Sequence, residues 1–443
     1  MKIKLHPEKT IAANRLNVPG INVNYFRDAD ANRKGRPLHE ALKDMGVKHL
    51  RYPGGSKSDR HFFAKPPYER CEPTAFAGYE KTMSEAVPMD FDMFIDIARK
   101  AGAEPHVNVS FHTLEYTGYP LETYLEHAAA WVKYANITKG YGVKYWEVGN
   151  ENWLTWIPDC RKGTPEEVGY AVSEFSRAMK AVDPSIKICA SGFAAAENWW
   201  DSFLPLAMPY IDVLTTSQYL SDNLGSYDYY MNHDNISLMP QVKFAEEAID
   251  KYGKERKEEL EIVVSEFNSL DWGKIEPWNP SNNLGHSIVT FDMIGQILIN
   301  PRVSYGMLWN TRYMNQKKQH ENMFFALDER NELLPSGMSL KLWGRYLRDI
   351  FVEAEDEGKL IVYACKDEKG MTVFVINKML NEENREIDIN GAAPGISASY
   401  CYTGSLPDDQ YPVFGVCDSS PIMTFPPFSI TILEFTGSGV NII

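Results

Sequence analysis

Lys144-Tyr145-Trp146-Glu147-Val148-Gly149-Asn150-Glu151 is the stretch whose reading decides the fold. Its apolar, aromatic half has the composition of a buried strand, and Gly-Asn-Glu ends it abruptly. A carboxylate just past a strand, preceded by an amide side chain, is where an α/β barrel carries its chemistry. Glu261-Ile262-Val263-Val264-Ser265-Glu266-Phe267-Asn268 repeats the design, an apolar strand with a glutamate near its end.

Working outward from these two anchors, strands are expected at 20–26, 47–52, 104–109, 186–190, 211–219 and 303–310, which makes eight with the anchors. Helical spacing falls between them, at 38–45, 91–101, 121–138, 239–252, 287–299 and 340–347. Thr164 followed by Pro165, Glu166 and Glu167 marks another helix start. Strands alternating with helices imply a parallel sheet. Eight such units favour closure into a (β/α)8 TIM barrel, placed at residues 11–348. No G-x-G-x-x-G follows the first strand, which argues against a dinucleotide-binding fold. The aperiodic stretch 56–88 has the length of a βα loop that shapes a site. After Asp349 the texture changes to short strands at 360–365, 371–376 and 429–435, separated by Gly, Pro and Asp clusters. That spacing predicts an antiparallel β-sandwich over 349–443 that caps the side of the barrel. A strand in residues 1–10, ended by His6-Pro7, is assigned to this second unit.

A chain of 443 residues with 44% hydrophobic and 24% charged residues has ample core for both units. The formal net charge of −15 argues against nucleic acid and anionic membrane surfaces, which call for a basic face. No apolar run reaches the roughly 18 residues needed to span a bilayer. Met1-Lys2-Ile3-Lys4-Leu5 alternates like a strand and lacks the apolar core of a signal peptide, so the expectation is a cytoplasmic protein, or a secreted one whose leader has been removed. Cys71, Cys160, Cys189, Cys365, Cys401 and Cys417 form no C-x-x-C pair and are read as free thiols. The ten histidines include no H-x-H or H-E-x-x-H, and there is no G-x-S-x-G. Neither a metal, another cofactor nor a serine nucleophile is therefore expected.

Two rim glutamates on separate parallel strands are what cleavage of a glycosidic bond needs, one to attack and one to move protons. The expected partner is an oligosaccharide or polysaccharide, and a homo-oligomer is left open.

Trp146-Glu147-Val148-Gly149-Asn150-Glu151 resembles the acid/base motif of clan A glycoside hydrolases and is most similar to that of family 51, which contains α-L-arabinofuranosidases and some endoglucanases. Leu50-Arg51-Tyr52-Pro53-Gly54-Gly55 is similar to the same family's second-strand motif. The resemblance implies Glu151 as acid/base and Glu266 as nucleophile of a retaining double displacement. A nucleophilic carboxylate must stay ionised beside a cation and hydrogen-bond donors. Arg51 at the end of strand two is the natural cation and Tyr219 at the end of strand six the natural donor, both at positions matching clan A. Glu151 needs a raised pKa, which burial and a neighbouring negative charge provide. Asn150, by resemblance, binds the sugar 2-hydroxyl. Glu147, four residues before Glu151, is read as a structural acid below the reacting centre. Trp309 is the expected platform for the sugar in the −1 subsite, with Asn310, His112 and Asn108 lining the pocket.

The chain also departs from the family. Ser265-Glu266-Phe267-Asn268 stands where Asp-Glu-Trp-Asn is usual, and Asn24 where a glutamate often grips arabinose. Ser56 replaces an asparagine after Pro-Gly-Gly, and Ser217 or Gln218 replaces a histidine near the end of strand six. These changes keep the machinery and alter the sugar cradle. The expected activity is glycoside hydrolysis on plant or microbial saccharides, arabinofuranosidase-like in family. β-Xylosides, β-glucans and β-glucuronides stay open as substrates. A transglycosylase and a catalytically silent, oligosaccharide-binding barrel are the alternatives.

Overall fold

In the computed structural model, which describes residues 1–72, 86–155, 157, 160–193, 199–220, 227–269, 282–312, 325–420 and 422–436, the strands fall into two sheets. Residues 73–85 of the expected site-shaping loop lie outside the described residues. β1 (Lys2–Ala12) belongs to the second sheet. β2 (Pro19–Asn22), β3 (His49–Tyr52), β4 (Glu104–Val109), β5 (Tyr145–Val148), β6 (Lys187–Ser191), β7 (Val213–Tyr219), β8 (Glu261–Asn268) and β9 (Val303–Leu308) close into a barrel. Each strand is parallel to its neighbours, as the alternation with helices requires.

The helices between them start and stop where local chemistry says. Asp90 accepts a hydrogen bond from Met93 N at 2.8 Å and caps Phe91–Ala101, which ends at Gly102 in the left-handed conformation (φ 73°). Thr164 and Glu167 form a reciprocal capping box at the head of Pro165–Val182. The helix expected over 121–138 is α-helical only through Val132 and finishes in π geometry from Lys133 to Thr138.

Two barrel strands end earlier than expected. β2 stops at Asn22 because Asn24 folds the chain into a turn, its Oδ1 accepting from Phe26 N at 3.0 Å. β9 ends at Leu308, although Trp309 N still donates to Phe267 O at 2.9 Å.

β10 (Ile350–Asp356), β11 (Ile361–Asp367), β12 (Gly370–Asn377), β13 (Glu383–Ile389), β14 (Ala398–Thr403), β15 (Val413–Val416), β16 (Ile422–Phe425) and β17 (Ser429–Thr436) join β1 in one nine-stranded sheet. Its order is β15-β14-β17-β12-β11-β10-β1-β13-β16. The sheet curls over its own core, for Met423 and Phe425 at one end share a cluster with Leu433 and Phe435 from near the other. Among the described residues all its pairings are antiparallel except β1 with β13. His6-Pro7 does not end the first strand. The ladder with β10 slips between His6 and Thr10, which absorbs the proline, and resumes to Ala12.

Strand alternation decides which side chains meet the barrel. Val373 and Val375 point into the curled sheet, while Phe374 and Ile376 point the other way into the barrel's outer core. There Phe374 meets Trp343 with ring centroids 4.2 Å apart, and Trp343 stacks on Phe291 at 4.5 Å. No helix among the described residues is long and apolar enough to cross a membrane, and the six cysteines form no disulfide with one another.

Candidate active site

Period-two alternation aims a column of side chains into the barrel. Tyr145, Cys189, Val213, Val263, Tyr305 and Met307 form its apolar floor. One step up each strand, Arg51, His106, Glu147 and Thr215 make a polar layer. Glu147 is wholly buried and accepts from Arg51 Nε at 2.6 Å and Thr215 Oγ1 at 2.9 Å, with His106 Nε2 at 3.1 Å and Asn108 Nδ2 at 3.4 Å. Burial alone would push this carboxyl up, but Arg51 and His106 hold it near 2. It is the structural acid below the site that its depth on β5 implied.

The same alternation would turn Glu266 away from the interior, because Val263 already points in. A bulge corrects this. Thr216 pairs with Val264 and Ser217 with Glu266, so β8 carries Ser265 as an extra residue, and the ladder with β9 slips at the same place. Asn22 Nδ2 holds the bulge by donating to Ser265 O at 2.8 Å. Glu266 therefore swings inward, where Arg51 Nη1 donates to Oε1 at 2.7 Å and Tyr219 OH to Oε2 at 2.7 Å. Burial raises its pKa on balance, against the Arg51 charge and both hydrogen bonds, which favour the carboxylate.

Arg51 reaches one residue further, its Nη2 donating to Asn150 Oδ1 at 2.9 Å. That orients the amide and leaves Asn150 Nδ2 without a partner among the described residues. Glu151 follows in the left-handed backbone region (φ 43°), a conformation that costs a non-glycine residue about 1–3 kcal/mol. It sits at the mouth with a partial opening to solvent. Desolvation by the surrounding wall and the nearby Glu266 charge push its carboxyl up to about 8; Ser217, Arg51 and Lys162 pull less strongly the other way.

Trp309 is 4% exposed, its indole N–H unpartnered among the described residues, and a Cβ on Gly55 would lie 2.5 Å from its ring. The Gly54-Gly55 turn is thus pressed against the aromatic face. Asn310 is buried with neither amide atom hydrogen-bonded among the described residues, an expensive arrangement unless a ligand satisfies it. His112 lies in the loop after β4, stacked on Tyr116 at 4.1 Å. Asn24 does not offer a free grip: its Nδ2 donates to Arg312 O at 2.8 Å and its Oδ1 is taken by the turn to Phe26. Among the described residues no group of three or more His, Cys, Asp or Glu side chains could hold a metal ion.

No family model matches the chain. α-L-Arabinofuranosidase C of Emericella nidulans is 27% identical to it over 230 residues, covering 48% of this chain and 43% of that protein. The intracellular exo-α-(1→5)-L-arabinofuranosidase of Acetivibrio thermocellus is 25% identical over 301 residues, covering 61% and 58%. The chain spans about half the length of the curated relatives it matches. The solved family 51 α-L-arabinofuranosidase of Thermotoga petrophila superposes with a TM-score of 0.75 over 98% of this chain and 99% of its own, at 19% identity. That likeness is one of fold, and its barrel and sandwich are those found here. The chain is thus similar in sequence to α-L-arabinofuranosidases and in fold to family 51 enzymes.

The positions that depart from the family 51 pattern can now be separated. Of the two residues in place of the family's histidine, Ser217 stands beside Glu151, whereas Gln218 is occupied with Tyr219 O and Gln241 N, both at 3.1 Å. Three further site residues escaped the sequence reading. Lys57 is 7% exposed, with its ammonium 5.2 Å from the Trp309 ring centroid and no carboxylate in contact among the described residues. Burial lowers its pKa to about 8, and the Glu266 charge resists that. Asp59 and Lys162 form a buried ion pair of 2.8 Å. A charged pair within Lys57-Ser58-Asp59, directly after the glycine turn of a rim strand, was the available signal. For Lys162, eleven residues past Glu151 in a loop, there was none.

Proposed function

We propose that the chain is a retaining glycoside hydrolase that works by double displacement on oligosaccharide or polysaccharide, with Glu266 as nucleophile and Glu151 as acid/base. The observation that carries this reading is the unequal environment of the two acids. Both oxygens of Glu266 receive donors that favour the ionised form and counter its burial. Glu151 has no such pair of donors among the described residues, and burial beside the Glu266 charge raises it to about 8, which favours its protonated form. Such a split assigns one acid to attack and one to protonation.

In the first step a Glu266 oxygen bonds to the anomeric carbon as the bond to the leaving oxygen breaks, and Glu151 gives that oxygen its proton. The covalent ester removes the Glu266 charge that kept Glu151 protonated. Glu151, now a carboxylate, takes a proton from water, whose oxygen attacks the same carbon and releases Glu266. The Nδ2 of Asn150, turned outward by the hold of Arg51 on Oδ1, suits the sugar 2-hydroxyl, and Trp309 with the unsatisfied amide of Asn310 suits the ring in the −1 subsite.

The names of the curated relatives support an arabinofuranosidase lineage. The commitment of Asn24 to a turn and the presence of Ser217 and Lys57 at the cradle favour a different balance of sugars. We expect arabinofuranosides not to be preferred over every pyranoside. The test is a screen of aryl α-L-arabinofuranoside, β-xyloside, β-glucoside and β-glucuronide, with the anomer of the first-formed product read by NMR. Retained configuration supports the mechanism. An inverted product, or no turnover of any glycoside by folded protein, overturns it, and an exclusive arabinofuranosidase would overturn the reading of the cradle.

A further inference from the structure

Asn150 lies between two residues with left-handed backbone, Gly149 (φ 65°) and Glu151 (φ 43°). Glycine adopts that region freely; glutamate does so only where its surroundings insist. Those surroundings can be named. The Asn150 N–H donates to Asp59 Oδ1 at 2.7 Å, and the Asn150 carbonyl accepts from Lys162 Nζ at 2.5 Å. Asp59 Oδ2 and Lys162 Nζ, 2.8 Å apart with side chains 1% and 0% exposed, close the ring. Lys162 is itself steadied by Cys160 O at 3.2 Å. Any relaxation of φ at Glu151 rotates the Asn150 carbonyl off Lys162, and rotation of the preceding peptide pulls its N–H off Asp59.

A buried ion pair is a poor way to gain stability, since two charges leave water and apolar residues of the same volume do as well or better. Its location explains it better. Asp59 belongs to the short helical turn Ser56–Arg60 that follows β3, the strand bearing Arg51, and Lys162 to the loop before the Pro165–Val182 helix. The pair thus ties the Glu151 backbone to the strand whose arginine holds Glu266.

We propose that Asp59 and Lys162 are positioning residues that act as one clamp on both peptide groups of Asn150, holding Glu151 at the geometry for proton transfer toward the group attacked by Glu266. The clamp touches no substrate. The proposal rests on the acid/base reading of Glu151 above.

Lys162→Met, Asp59→Asn and the double variant test it, beside wild type and Glu151→Gln. Two aryl glycosides of one sugar are used, with a dinitrophenolate leaving group that needs no protonation and a phenolate that does. Each single variant should lower kcat on the phenyl glycoside by roughly 10- to 100-fold, the scale of a small misplacement of a reacting group, with KM little changed. The glycosylation step on the dinitrophenyl glycoside should be spared. The double variant should be no worse than the poorer single one, because half a clamp is no clamp. The Glu151 titration, read from its ¹³C carboxyl shift without turnover, should move in opposite senses. It rises in Lys162→Met, which loses a cation, and falls in Asp59→Asn, which leaves that cation uncompensated toward Glu151, a carboxyl also faced by Glu266, Arg51 and Ser217. Lys162→Arg should restore part of the lost rate. Equal losses on both leaving groups, additive losses in the double variant, or an unmoved titration would overturn the clamp. If Glu151→Gln itself shows no dependence on leaving group, the acid/base reading has failed; if it does and the clamp variants do not, only the clamp has failed.

Discussion

Replacing Glu151 by glutamine probes the environment on which the proposed chemistry depends. In the folded protein this carboxyl is raised from 4.5 to about 8, mainly by desolvation and by the Glu266 charge. The unfolded chain releases the proton near 4.5, so between the two values the folded state holds one proton more, and stability contributed by this group falls as pH rises toward 8. At about 1.4 kcal/mol per pKa unit, the loss between pH 5 and pH 9 is about 4 kcal/mol at most, and the partial opening to solvent brings it to about 2 kcal/mol. Glutamine has the shape of the protonated acid and cannot ionise. Glu151→Gln should therefore match wild type near pH 5 and be the more stable protein at pH 9 by about 2 kcal/mol. Urea unfolding at the two pH values, followed by tryptophan fluorescence, reads the difference as a change in midpoint. Equal effects at both pH values, or a variant less stable at pH 9 than wild type, would show that Glu151 ionises normally and would remove the ground for calling it the acid.

The two glutamates should separate cleanly by rescue. Glu266→Ala should abolish turnover for every leaving group, whereas Glu151→Ala should accumulate a covalent glycosyl-enzyme from a dinitrophenyl glycoside and regain turnover with azide, giving a retained glycosyl azide. Mass spectrometry should find the trapped sugar on the Glu266 peptide; azide rescue of Glu266→Ala with inverted product would exchange the roles. Lys57→Met removes a cation that helps keep Glu266 ionised, so the acid limb of kcat/KM should move to higher pH, and an unchanged limb would count against electrostatic contact between them. Trp343→Ala empties the contact between barrel and curled sheet and should cost about 3–5 kcal/mol of stability by calorimetry, with the catalytic rate of the surviving folded fraction unchanged.

Much of the architecture was legible in the sequence because its causes are local. The apolar runs at 145–148 and 261–264, the Thr164–Glu167 capping box and the alternation of strands with helices each depend on neighbours a few residues away. The place of Glu147 inside the barrel follows from period two along β5, and the resemblance at Arg51 and Glu151 lay in contiguous motifs. What the tertiary structure alone decided was aim and company. Glu266 faces Arg51 only because β8 bulges at Ser265, and a bulge exists only against the registers of β7 and β9. Pro7 was passable because β1 found β10, more than three hundred residues away, with room to slip. Asn24 became a turn rather than a grip once Arg312 O was brought to it. Lys57, Asp59 and Lys162 are charged residues of the kind that usually stays in solvent, and only folding buries them around one peptide and one ring. A charged side chain acquires its role from what replaces water around it, and that is set by residues far apart in the chain.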